Sequence, residues 1–142
     1  MIKTSHRRVA GVSMIELLIV LVIVAILAAF AMNSYRQYIL RGNRAYATGP
    51  LQDLASREEN YYFSNNTYTN SLPNLGLTTN NSPSTGTALY TLSVASASST
   101  DYTVEAVAAG TQTQDSACPV FQLTREGQKL PSNTASTCWG GQ

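Results

Sequence analysis

The sequence predicts an α+β fold in which one long N-terminal helix packs on a small antiparallel β-sheet. The first observation is a segment, Leu17 to Met32, that is apolar without interruption. The second is an alternation of apolar and polar residues in two stretches after residue 88, which is typical of half-buried strands. The third is a loop rich in Asn, Thr, Ser and Gly between these regions. The 142 residues amount to about one domain, which excludes a large multidomain enzyme.

Composition excludes two further classes of protein. Lys and Arg together number 9 and Asp and Glu number 8, so the bulk charge does not favour a nucleic-acid-binding protein. The one histidine, His6, lies far from the two cysteines, Cys118 and Cys138. A zinc site needs about four such ligands together, so we expect no metal and no cofactor.

The N-terminal apolar segment is long enough to cross a membrane. A helix from Val12 to Met32 rises about 30 Å, the thickness of the hydrocarbon core of a bilayer. Lys3, Arg7 and Arg8 precede it, and basic residues stay on the cytoplasmic side. We therefore expect the chain after Met32 to lie outside the cytoplasm.

Two ordinary interpretations of this segment are open on these residues. A cleaved secretory signal has a shorter apolar core of about 7 to 15 residues, although residues 25–31 include small side chains suited to cleavage. A plain signal anchor leaves Glu16 unexplained, because a carboxylate within the membrane is costly without a partner. An acid at this position indicates a specific partner.

The sequence of residues 11–17 suggests what this partner is, because it is similar to a known signal. The heptapeptide Gly-Val-Ser-Met-Ile-Glu-Leu resembles the class III signal of type IV pilins and related pseudopilins. The resemblance implies that a prepilin peptidase cuts between Gly11 and Val12, and that Val12 becomes an N-methylated N-terminus. It also implies that Glu16 neutralises the N-terminal ammonium of an adjacent subunit during assembly, a pairing that is stronger in a low-dielectric bundle than in water.

The same resemblance implies a location and a set of partners. Before assembly, the chain has a single span in the inner membrane with the remainder in the periplasm; afterwards it lies in an extracellular filament. The implied partners are other pilin subunits, the prepilin peptidase and the inner-membrane assembly machinery. Removal of residues 1–11 takes three of the 9 basic residues, so 6 remain against 8 acids, a mature side-chain charge of about −2.

The helical pattern continues beyond the span. Apolar and aromatic residues recur three or four apart up to Phe63. We predict one helix over residues 12–63, of which 12–32 lies in the membrane or the filament core. Pro50 lacks a backbone donor and its ring crowds the preceding turn, so a kink is expected there.

Aromatic and basic residues follow the span. Tyr35 and Tyr38 fall where an interfacial aromatic belt would lie. Arg36, Arg41 and Arg44 would then lie near lipid headgroups or between subunits, and a plain solvated helix face is an equal alternative.

Residues 64–87 are predicted to form an irregular connecting loop, and residues 88–142 an antiparallel sheet followed by the C-terminal region. The sequons at Asn65 and Asn80 match the N-glycosylation acceptor in a composition where chance matches are expected. Alternation predicts two strands that form a meander, with a third strand at 120–124. The sheet is expected to bury one face on the second half of the helix.

Cys118 and Cys138 enclose the last part of the chain. In an exported compartment the two cysteines are expected to oxidise to each other, which stabilises the fold by about 3 kcal/mol in the chain-entropy model. Two free buried thiols are the alternative. The pair also resembles the cysteines that bound the C-terminal D-region loop of pilins.

The leading functional expectation is a type IV pilus subunit, a minor rather than a major pilin, that serves adhesion, twitching motility or DNA uptake. The run of acids, Asn and Tyr at 58–62 resembles the minor-pilin branch that includes competence pilins. A DNA receptor for competence is an alternative. Beyond residue 64, however, the sequence has only two basic residues, Arg125 and Lys129, against four acids. With Trp139 they are expected to form at most a weak DNA patch.

Two further classes are weighed on the same residues. A type II secretion pseudopilin shares the leader and the acid, but typically carries a calcium site, and no loop of oxygen ligands stands out here. An enzyme is not expected, and no catalytic residue is assigned. His6 lies in the leader that is removed, and no phosphate loop or nucleophile elbow is present.

Overall fold

The computed structural model describes residues 11–132 and 135–140. The leader bases Lys3, Arg7 and Arg8, and His6, lie outside the described residues. The chain divides into two compact units, the first ending at Arg36 and the second beginning at Gln37. Each unit is described by itself.

The first unit contains most of helix α1, which runs over Met14–Asn43. Up to Arg36 the apolar side chains of α1 are exposed; Leu18, for example, is 62% exposed and Phe30 is 74% exposed. The helix is long and apolar enough to cross a membrane. No described residue of this unit covers the apolar surface. An exposed apolar surface of this extent is typical of a membrane or protein contact.

The predicted long N-terminal helix is confirmed over Met14–Asn65. A turn at one residue divides it into α1 and α2 (Ala45–Asn65). The interruption is not at Pro50, because α2 continues through that residue; the kink expected there stays a prediction. The interruption lies at Arg44, whose N–H bonds to the carbonyl of Arg41, three residues earlier, at 3.2 Å. At the same residue, the Arg44 side chain forms a buried ion pair.

Pro50 is accommodated in α2 by a partner from outside the helix. The proline has no N–H, so the Tyr46 carbonyl lacks its helical donor. The Ser82 hydroxyl donates to that oxygen at 2.6 Å, and Ser82 is only 3% exposed. The missing hydrogen bond is therefore replaced by a tie between α2 and the edge of the sheet.

The predicted antiparallel meander is confirmed as a five-stranded sheet whose strands follow each other in chain order. The edge strand β1 lies within the stretch predicted as loop. Gly127, with φ of 78°, makes the tight turn between the last two strands. The strands are β1 (Asn81–Ser82), β2 (Tyr90–Ala97), β3 (Tyr102–Ala108), β4 (Val120–Thr124) and β5 (Lys129–Leu130). Short helical turns are Leu72–Leu75, Gly110–Gln114 and Ala135–Cys138.

The core lies between α2 and one face of the sheet. Leu51 and Leu54, at helical spacing, are fully buried against alternating strand residues such as Val104 and Phe121. The Phe121 ring packs edge-on against Tyr90 at 5.7 Å between centroids. The predicted α+β architecture of a helix on an antiparallel sheet is therefore confirmed.

The predicted disulfide is present. Cys118 and Cys138 are bonded, with their Cα atoms 5.7 Å apart, and both are buried. Trp139 follows the second cysteine, and its ring lies 5.6 Å from that of Phe121. The disulfide thus fastens the C-terminal segment onto the core.

Candidate functional site

The proposed cleavage and assembly residues lie together at the start of α1. Gly11 and Val12 form non-helical backbone ahead of the helix, and Val12 is 70% exposed. Glu16 lies in the first turn, where its Oε2 accepts a hydrogen bond from the Ser13 N–H at 3.5 Å. This contact satisfies one of the free N–H groups at the helix N-terminus.

The Glu16 carboxylate has no basic partner among residues 11–132 and 135–140, where the ion pairs are Arg44 with Asp115 and Arg57 with Asp53. Around it the α1 surface is apolar and exposed. A helix with this surface is suited to a membrane or to a bundle of like helices. In either setting a carboxylate is costly without a cation beside it.

A buried ion pair lies at the junction of α1 and α2, in the second unit. The Arg44 guanidinium holds Asp115 through two bonds, Nε to Oδ2 at 2.7 Å and Nη2 to Oδ1 at 2.9 Å. Both residues are under 9% exposed. A third bond runs from Arg44 Nη1 to the carbonyl of Thr137 at 3.0 Å. The hydrogen bond that Arg44 donates to Asp115 raises the pKa of Arg44, so the arginine stays charged.

Gln112 completes this junction. The Leu40 carbonyl lacks its usual helical donor, because the Arg44 N–H bonds one residue later in the chain. Gln112 Nε2 donates to that Leu40 oxygen at 2.9 Å, while Gln112 Oε1 accepts from Asn43 Nδ2 at 3.1 Å. The end of α1 is therefore satisfied by a side chain that is fully buried.

Sequence reasoning missed this junction. It placed Arg44 near headgroups, between subunits or in solvent, whereas the structure buries it against Asp115. The two residues lie 71 positions apart, and no local pattern connects them. Arg41, in contrast, is exposed, as that interpretation requires.

The residues expected to form a weak DNA patch are brought together only in part. Lys129 Nζ lies 5.6 Å from the centroid of the Trp139 ring, a distance at which a cation is attracted to an aromatic face. Arg125 instead hydrogen-bonds to the Tyr68 hydroxyl, which raises the pKa of Arg125. The patch is therefore Lys129 and Trp139, with Arg125 committed to Tyr68.

The charge of the second unit is negative overall. From residue 37 to the end the sequence has five basic side chains and seven acidic ones. Two of the five basic residues, Arg44 and Arg57, are already paired with acids. The basic residues are Arg41, Arg44, Arg57, Arg125 and Lys129, and the acids are Asp53, Glu58, Glu59, Asp101, Glu105, Asp115 and Glu126.

Comparisons with known proteins match both parts of the chain. Residues 6–32 match the prokaryotic N-terminal methylation motif. Residues 33–122 match a family described as type IV minor pilin ComP, DNA uptake sequence receptor. The chain is also similar to the type IV wide pilus major component PilA4 of Thermus thermophilus, with 32% identity over 135 residues, which cover 93% of this chain and 98% of that protein.

Proposed function

The chain belongs to the type IV pilins, and from this membership we propose that it enters the filament as a minor subunit through α1, with Glu16 as its assembly residue. Pilins are anchored in the inner membrane and assemble with other pilin subunits. The observation that carries the proposal is the exposed apolar surface of α1 around a carboxylate without a cation in the described part of its own chain.

The proposed route begins with processing. The prepilin peptidase cuts the exposed backbone between Gly11 and Val12, and Val12 becomes the N-methylated N-terminus. The second unit lies in the periplasm at this stage, with α1 in the inner membrane. The assembly machinery of that membrane then passes the subunit to the filament. The chain itself is proposed to have no enzymatic activity, since His6 precedes the cut.

Burial of α1 supplies the free energy of assembly. When the helix leaves the bilayer, each large apolar side chain that is covered by a neighbour keeps about 1.5–3 kcal/mol that exposure to water would cost. Glu16 fixes the alignment of neighbouring subunits along the filament. A misaligned neighbour would leave a carboxylate and an ammonium unpaired in an apolar bundle. That loss amounts to about 3–5 kcal/mol.

The test replaces the assembly residue and measures incorporation. We expect Glu16→Ala to lower the amount of this chain in sheared filaments on the order of 100-fold, measured by quantitative mass spectrometry against the main subunit. Glu126→Ala, which removes an exposed acid from the β4–β5 turn, is the matched control. Equal incorporation of the two variants would disprove the assembly role of Glu16.

A second candidate function is DNA binding during uptake, which the description of the matched family favours. Lys129 beside Trp139 offers a cation and a stacking surface. Lys129 has no acidic partner among the described residues and is the basic residue beside Trp139. One phosphate contact would make the affinity fall about 3.5-fold between 50 and 200 mM salt.

A mobility shift with the full chain in detergent tests this second function. We expect weak binding at low salt that Lys129→Ala reduces, and no shift at 200 mM salt. Glu126→Ala, which removes a nearby negative charge, is expected to strengthen binding slightly. Absence of a shift at low salt would exclude DNA binding by this patch.

A further inference from the structure

A pocket of about 310 Å³ lies in the second unit, beside the start of α2. Ala45 and Thr48 line it from α2, and residues 137–140 line it from the C-terminal segment. The Cys118–Cys138 disulfide fastens that segment to the core. The pocket is therefore part of the folded unit, and its shape depends on the disulfide.

One positive charge of this pocket is not neutralised. Arg44 lines the pocket but is paired with Asp115. Arg41 also lines it, is exposed, and is outside the ion pairs of the part of the chain that the structure describes. None of the described lining residues is acidic. A free guanidinium and the Thr48 hydroxyl on one pocket suit an anion with several acceptor oxygens, such as a phosphate.

The chain around Arg41 is basic over a long stretch. Between Glu16 and Asp53 it has three arginines and no acid. All three arginines follow the apolar segment, on the side of the membrane that the positive-inside rule leaves poor in basic residues. Topology therefore does not account for Arg41, and neither does folding, because its side chain is exposed.

Arg41 is close enough to the apolar segment to meet lipid headgroups. It follows Met32, the end of that segment, by nine residues of α1, which amounts to at most about 14 Å. The headgroup layer accounts for about 5–7 Å of this distance. Helical side chains lean toward the N-terminus of their helix, here toward the membrane, and a long arginine reaches back to place its charge among headgroups. The exposed ring of Tyr38, three residues before Arg41, suits the same layer.

We propose that the pocket binds the phosphate of an anionic glycerophospholipid in the periplasmic leaflet of the inner membrane, while the chain is anchored there. Arg41 pairs with the phosphate, and the Thr48 hydroxyl donates to it. Trp139 packs against the glycerol with its apolar ring, since its Nε1 already donates to the Leu130 carbonyl at 3.4 Å. The proposal rests on the membrane stage of the proposed function, and it goes beyond the role of Glu16.

A lipid phosphate fits this pocket better than the phosphates of DNA do. Strong DNA binding needs several cations along a groove, whereas the described residues that line the pocket include one unpaired cation, Arg41. A membrane holds its anionic headgroups at high local concentration beside the pocket, so one charge pair is sufficient. The bound lipid would hold the second unit at the membrane until the subunit leaves for the filament.

Trp139 reports directly on the pocket because it is the one tryptophan of the sequence. Its fluorescence is measured for the full chain in a neutral detergent, titrated with short-chain phosphatidylglycerol, short-chain phosphatidylcholine or inorganic phosphate. We expect phosphatidylglycerol to act at about fivefold lower concentration than phosphatidylcholine, and inorganic phosphate to have no effect in that range. Equal action of the two lipids, or an equal response to inorganic phosphate, would overturn the proposal.

Replacement of Arg41 tests the charge that selects the anionic lipid. In Arg41→Ala the two lipids should act at equal concentrations. Arg36→Ala is the matched control, because it removes an arginine of the same helix that is not among the described residues lining the pocket. Its lipid preference should stay within about twofold of that of the natural chain. A preference that survives in Arg41→Ala, or that falls equally in both variants, would overturn the site.

Replacement of Thr48 tests the α2 side of the pocket with little change in side-chain volume. Thr48→Val removes one hydrogen bond to the phosphate, which both lipids carry. The concentrations at which the two lipids act should therefore rise by a similar factor, about threefold. Unchanged concentrations would mean that no phosphate lies against α2, and would overturn the proposed contact.

The lipid site and the assembly role fail in distinguishable ways. Glu16 does not line the pocket, so Glu16→Ala should keep the lipid preference. If Glu16→Ala enters filaments normally, the assembly role fails and the lipid site stands. If the preference is missing while Glu16→Ala is excluded from filaments, only the lipid site fails.

Two further measurements complete the test. A short DNA duplex that shifts the Trp139 emission in the natural chain but not in Arg41→Ala would assign the pocket to DNA and overturn the lipid proposal; we expect no such shift. An intact Cys118–Cys138 disulfide and unchanged protease resistance show that each variant is folded.

Discussion

The two units of this chain differ in whether their apolar and charged side chains are covered and paired within the unit. In the first, the apolar side chains of α1 up to Arg36 are exposed, and the one acid, Glu16, has no cation among the described residues. In the second, even buried polar groups such as Arg44 and Gln112 find partners within the unit. The first unit is therefore completed by other molecules, whereas the second is largely complete in itself.

Breaking the buried pair of Arg44 and Asp115 is expected to have the largest effect on the stability of the second unit. Asp115→Asn leaves the Arg44 charge buried without its counter-charge, so we expect a loss of about 3–5 kcal/mol in the free energy of unfolding. Denaturant unfolding of the full chain in detergent measures it. Glu126→Gln, an exposed acid, should change stability by less than about 0.5 kcal/mol. A similar small effect for Asp115→Asn would contradict the assigned pairing.

A pair of leucines compares the units directly. Leu51→Ala removes a fully buried side chain and is expected to cost about 2–5 kcal/mol of unfolding free energy. Leu21→Ala removes a side chain that is 57% exposed, and should leave unfolding of the second unit unchanged while weakening membrane retention. Fluorescence-monitored unfolding and carbonate extraction provide the two measurements. Equal losses of stability would contradict the division into two units.

Reduction of the disulfide is expected to have the next largest effect. The bond joins residues 20 positions apart, so its loss should cost about 3 kcal/mol of unfolding free energy in the chain-entropy model. Unfolding with and without reductant measures the change, and the Cys118→Ala/Cys138→Ala variant controls for reductant. The unfolding free energy of that variant should not change with reductant. A change would mean that the reductant acts on something other than the disulfide.

The smallest expected effect is a pH dependence from Glu58 in α2. Glu58 is fully buried; its Oε2 accepts the Thr69 N–H at 3.1 Å, while its Oε1 has no hydrogen-bond partner among the described atoms. Burial raises the pKa of Glu58, and the Thr69 N–H partly opposes this. The folded state thus binds the proton more tightly than the unfolded state, and stability falls as pH rises above the unfolded value of about 4.3.

Glu58→Gln removes this titration while keeping an acceptor for Thr69. We expect the variant to gain stability relative to the natural chain as pH rises from about 4 to 8. Unfolding at a series of pH values gives the difference. Glu126→Gln, which alters an exposed acid in the β4–β5 turn, is the control. A constant difference would mean that Glu58 is not protonated more readily in the folded state.

Periodicity was sufficient to predict the architecture. Apolar residues three or four apart predicted the helix, alternation predicted the meander, and the exported location predicted the disulfide between Cys118 and Cys138. These features were accessible because each depends on neighbouring residues or on compartment chemistry. The type IV pilin family was accessible as well, since the residues around Gly11 and Glu16 lie in one short motif.

The polar junction was not predictable in the same way. Arg44 looks like any arginine on a helix, and Asp115 and Gln112 lie in a segment without strong periodicity. Their partnership depends on the fold bringing distant segments together. Likewise, the interruption of the helix lies at Arg44, where no local pattern marked it, whereas propensity pointed to Pro50.

The hydrogen bonds at the end of α1 have a mechanical consequence. A force applied along α1 can reach the sheet by a second route besides the backbone of α2. Gln112 donates a hydrogen bond to the Leu40 carbonyl, and Asp115 accepts one from Arg44. Both lie within a few residues of Cys118, whose disulfide fastens the C-terminal segment. Tension on the filament is thereby shared between two parallel load paths, one covalent along the chain and one through side chains.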